Sequence, residues 1–141
     1  MDMGDDLWVL AVRTSGVLHF VTLGLACVTP IPPHWEDNLA RLPEVHRRFA
    51  VAQNAFIGAT IAFCGFLSLV FARDLVGGAP LARAVSAGIA LWWGGRLLVL
   101  PWLRVRPHLT GPWLRAGFGL LLAECATCAL GYTWLAVRPA A

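Results

Sequence analysis

PWLRAGFGLLLAECATCALGYTWLAV, Pro112 to Val137, carries two charges, Arg115 near its start and Glu124 near its middle. The rest is apolar or weakly polar on every side. About 20 mostly apolar residues suffice to cross a bilayer as a helix, so the stretch reads as a transmembrane span. Three more stretches read the same way: Leu7–Val28, Phe49–Ala72 and Ala84–Leu103. Of the 141 residues 58% are hydrophobic and 13% charged, where soluble domains carry about 25% charged residues. The mean hydropathy is +0.68. The expected fold is therefore an all-α membrane protein: one compact bundle of four transmembrane helices in a single domain covering residues 1–141.

The first stretch follows MDMGDD, which is acidic. A signal peptide opens with positive charge, so this segment is expected to be retained as a helix. The net charge of +3 does not point to nucleic acid, because the arginines gather at the ends of the apolar runs. All eleven basic residues are arginine. Arg41, Arg47, Arg48, Arg104, Arg106 and Arg115 fall on one side, and Arg73, Arg83 and Arg138 on the other. The positive-inside bias then places the first and third connections in the cytoplasm and both termini outside, in a bacterial inner membrane with periplasmic termini.

The first connection contains Pro30, Pro32, Pro33 and Pro43, which forbid a continuous helix. Trp35, Leu39 and Leu42 recur at helical spacing opposite Asp37, Asn38 and Arg41, so Trp35–Leu42 is expected to be a short amphipathic turn in the membrane interface. Small residues line one stripe of each later helix. They are Gly58 and Gly65 beside Asn54, Ile61 and Ser68; then Ala84, Gly88 and Gly95; then Gly117 and Gly131 beside Glu124 and Cys128. Such stripes let transmembrane helices approach closely. Trp8, Trp102, Trp113 and Trp134 lie near segment ends, as interfacial tryptophans do.

Charged groups at membrane depth cost at least ~2.5–3.5 kcal/mol and normally face the bundle interior with partners. Here these are Arg13, His19, Arg96 and Glu124, with Gln53 and Asn54 nearby. Arg13 is expected to snorkel outward. An Arg96–Glu124 pair is expected, with His19 and Asn54 on facing helices completing the network. Two readings stand open. One is a structural network that specifies the helix arrangement, the other a pocket for a lipid, quinone or haem in which Glu124 or His19 trades a proton. A bis-histidine haem would need a second intramembrane histidine, and His34, His46 and His108 are all in connections. No cofactor is expected from the motifs, and His34, Glu36, Asp37, Glu44 and His46 match no zinc or calcium spacing.

Cys125 and Cys128 form a Cys-x-x-Cys in the last helix, and in a four-helix membrane protein this resembles the vitamin K epoxide reductase family. The resemblance implies a redox role for Cys125 and Cys128. That family also uses a cysteine pair between its first two helices; here Cys27 and Cys64 lie within spans instead. Side chains three apart in a helix have Cβ atoms about 5–6 Å apart, beyond the 3.5–4.5 Å of a disulfide. A mid-helix position beside an acid disfavours a thiolate.

GVLHF (Gly16–Phe20), LARLPEVHRRF (Leu39–Phe49) and GAPLARAVSAGIALWWGGRLL (Gly78–Leu98) resemble a group of small bacterial four-helix membrane proteins to which no activity is attached. The resemblance implies the topology and draws attention to His19 and Arg96. Three functions follow. The favoured one is a non-catalytic subunit or accessory protein that docks on other membrane subunits or on copies of itself, amid membrane lipids. The second is a bundle that binds or transforms an apolar ligand through His19, Arg96 and Glu124. The third is a thiol oxidoreductase using Cys125 and Cys128.

Overall fold

The computed structural model describes residues 3–28 and 34–138. Pro30, Pro32 and Pro33 lie outside the described residues. The described chain forms α1 (Met3–Val28), α2 (Trp35–Ala40), α3 (Glu44–Val70), α4 (Ala72–Gly77), α5 (Pro80–Val99) and α6 (Pro112–Val137), with a 3-10 turn at Arg106–His108.

Prolines set the helix ends. Pro43, at φ −51° and ψ 145°, starts α3 five residues before the expected Phe49. The polar first turn is held by an Arg48–Glu44 pair one turn apart, a spacing that brings side chains together on a helix. The expected Ala84–Leu103 helix is displaced toward the N-terminus. Pro80 occupies the first turn, where its missing N–H is no loss, and the helix ends at Val99, with Leu100 still at helical angles (φ −54°, ψ −42°) and Pro101 lacking the N–H that would continue the ladder. Gly78, at φ 73°, closes α4 in the left-handed conformation, which glycine adopts without a Cβ penalty. The expected short turn is found as α2, ending at Ala40 rather than Leu42, with Trp35 and Leu39 half-buried and Asp37, Asn38 and Arg41 exposed, but Leu42 is exposed with them.

Among the described residues, α1, α3 and α6 are long and apolar enough to cross a membrane. This suits an integral membrane protein. The expectation of four such helices is met by three: α5 has 20 residues, and Arg83 and Arg96 interrupt its apolar character.

The helices pack as two antiparallel hairpins, α1 with α3 and α5 with α6, while α4 fills the corner between α1, α3 and α5. The first hairpin closes where Gly16 meets Gly65. A Cβ on Gly65 would come within 3.0 Å of His19 Cβ and 3.2 Å of the Gly16 carbonyl oxygen, and one on Gly16 within 3.0 Å of the Gly65 carbonyl oxygen. Gly58 and Gly65 thus face α1, as their stripe suggested, and Ile61 and Ser68 are buried, but Asn54 at its end is exposed. In the second hairpin the small residues face the other way. A Cβ on Gly88, Gly95 or Gly117 would meet nothing within 4 Å, and Ala84 is exposed. Their expected role in closing the bundle is therefore not the one they have. Trp93, Ile89 and Ala90 fill the core instead, against Cys125, Cys128, Tyr132 and Leu135.

Candidate functional site

Where the two hairpins meet, polar side chains are stacked in three rungs between α1 and its partners. The deepest joins α1 to α5 and α6. His19 is fully buried. Its Nδ1 lies 2.6 Å from the Ser15 carbonyl oxygen, and its Nε2 accepts a hydrogen bond from Trp93 Nε1 at 3.0 Å. A carbonyl only accepts and an indole N–H only donates, so His19 is neutral with its proton on Nδ1. The two rings meet edge to face, 5.0 Å between centroids. One turn further along α1, Thr22 Oγ1 donates to Glu124 Oε2.

The middle rung joins α1, α3 and α6. Ser68 Oγ donates to the Cys64 carbonyl oxygen at 2.6 Å. Its one proton is thereby committed, so Tyr132 is the donor in the 2.6 Å bond between the two hydroxyls. Ser15 Oγ lies 3.5 Å from Cys128 Sγ and 3.5 Å from Tyr132 Oη, the latter too long for a strong hydroxyl bond. The outer rung is Arg138 at the end of α6, which donates to the Val76 carbonyl oxygen and lies 3.4 Å from Asp5.

The expected network is partly assembled. His19 and Glu124 share a level, but Thr22 and Trp93 hold them rather than each other. Among the described residues Arg96 and Glu124 are not ion-paired. The Arg96 guanidinium lies 5.9 Å from the centre of the Trp93 ring, within cation–π range. Glu124 Oε1 is buried with no hydrogen-bond partner among the described residues. Asn54 is exposed and takes no part. Arg13 is exposed. Trp93 and Tyr132 are two members of the rungs that the sequence did not single out. A signal existed for both: Trp93 lies three residues before Arg96, and Tyr132 lies four after Cys128, on the same helix faces.

The arrangement offers little for chemistry. With both ring nitrogens engaged, His19 has no lone pair for a haem iron and no site for a second proton unless the Trp93 bond breaks. Cys125 and Cys128 are free, buried and mid-helix. Among the described residues no cluster of His, Cys, Asp or Glu could hold a metal ion, and His34, His46 and His108 are exposed. Family models, curated proteins and solved structures yield no match to this chain.

Proposed function

We propose that the chain is a non-catalytic integral membrane protein that docks laterally on a helix of another membrane subunit, through the outer face of α5. The observation that carries this reading is the open space over Gly88 and Gly95. Around them Leu81, Leu91 and Leu98 are 78%, 77% and 82% exposed. Leucine knobs alternating with glycine hollows form a surface into which another helix packs closely, and close packing is what drives association where lipid removes the hydrophobic drive. α3 turns a different surface outward, with Phe49, Phe56 and Phe63 exposed, a surface suited to acyl chains.

The reading includes a fourth crossing by α5. Its 20 residues give about 30 Å at 1.5 Å per residue, the thickness of the hydrocarbon core, and it runs antiparallel along α6. Both arginine-rich connections then face the cytoplasm of a bacterial inner membrane and the termini face the periplasm. The interior polar groups act as adhesive between hairpins, which accords with an accessory role. A photo-reactive side chain in place of Gly95 should crosslink to another membrane protein in native membranes, and one in place of Phe63 to lipid alone. Lipid adducts from both positions would defeat the proposal.

A further inference from the structure

We propose that the groove between α1 and α6 binds a lipid-phase carbonyl compound, its apolar body lying along the helices and its oxygen accepting a hydrogen bond from Ser15. The two hairpins touch sparsely along this seam and leave a cavity of about 500 Å³, within the range of small-molecule sites. It extends from Leu7 and Leu135 to Leu18 and Thr127, about 16 Å of helix rise. Half of the hydrocarbon core is about 15 Å. The groove is thus one leaflet deep, and it opens sideways between two helices long enough to span the membrane, so its contents come from the lipid phase.

Its polar groups, taken one at a time, point to the oxygen. The Thr14 hydroxyl donates to the Leu10 carbonyl oxygen, and that of Thr127 to the Ala123 carbonyl oxygen. The Tyr132 proton goes to Ser68. Of the hydroxyls that leaves the half-buried Ser15, whose contacts are a thiol and a phenol oxygen, both at 3.5 Å; Trp8, with its indole N–H, lines the groove only at the Leu7 end. Sulfur is a weak acceptor, so a better one would be preferred. Ser15 lies about 12 Å of helix rise below Leu7. A plain acyl chain would bring no acceptor to that depth. An alkylated quinone, or another ring ketone with an apolar tail, brings one. Gly131 also lines the groove, and a Cβ there would meet nothing within 4 Å.

Decylubiquinone, titrated into the full chain in detergent and followed by calorimetry, tests the assignment. Saturable binding to the native protein is expected. Gly131→Leu, whose Cβ has open space within 4 Å and whose side chain fills the groove, should weaken binding at least tenfold. Ser15→Ala should weaken it about three- to tenfold, the loss of one hydrogen bond, and decylbenzene, which has the tail and ring but no carbonyl, should bind weakly and be indifferent to Ser15→Ala. Should Gly131→Leu lose its helicity or its elution position, Ala11→Leu fills the same groove from the other wall. Undiminished quinone binding with the groove filled would overturn the proposal, as would decylbenzene binding as tightly as the quinone.

Discussion

Glu124 has one oxygen held by Thr22 and the other buried without a partner among the described residues. A carboxylate in that position, with no cation to neutralise it, costs stability rather than supplying it. Arg96 nearby rests on the Trp93 ring, a contact worth about 0.5–1 kcal/mol. Glu124→Gln keeps an acceptor for Thr22 at nearly the same shape, so it should change stability in detergent by less than about 2 kcal/mol. Arg96→Leu should change it by less than about 1 kcal/mol. Were the two residues a buried ion pair, breaking it from either side would cost about 3–5 kcal/mol. Unfolding both variants in a series of dodecyl sulfate fractions separates the cases. The charges alone suggested the pair. Thr22 and Trp93, neither of them charged, claimed Glu124 and Arg96 instead.

Among the helices, the glycines divide into two kinds that look alike in one dimension. Gly65 sits where α3 crosses α1, and a methyl group there would press on His19, Phe20 and the Gly16 carbonyl oxygen. Gly88 sits on α5 facing away from the bundle. Gly65→Ala should destabilise the protein by about 1–3 kcal/mol, as overpacking does. Gly88→Ala should stabilise the isolated chain by roughly 0.5–1 kcal/mol, the usual cost of glycine within a helix. Thermal unfolding of the two variants side by side gives the comparison, and equal effects would contradict the division. The spacing of small residues announced that helices pack closely. Which face of which helix does so depends on its neighbours, and no stripe carries that information.

Across the whole molecule, the two hairpins are joined by α4, by a shared apolar core and by the contacts His19–Trp93, Thr22–Glu124, Ser68–Tyr132 and Asp5–Arg138. Such bonds in a membrane average about 0.6 kcal/mol and rarely exceed 2, and beside them the α1–α6 groove stays open. The course of α5 decides the topology. If it crosses, reporter fusions at Asn38 and at Pro107 should report the same side of the membrane. If α5 stays on one surface, they report opposite sides.

The apolar runs and the short helical turn after the first one were legible in one dimension, and so in principle were the bounds that Pro43, Pro80 and Pro101 set, although Phe49, Ala84 and Leu103 were expected there. Transfer of a segment into lipid is a sum over its own residues, and a proline acts on the backbone it belongs to. Such quantities are local and additive. The partner of Glu124, the outward turn of Gly88 and Gly95, and the donor to His19 were not legible. Each depends on which of several chemically adequate groups on another helix arrives within 3 Å, and only the packing of the hairpins settles that.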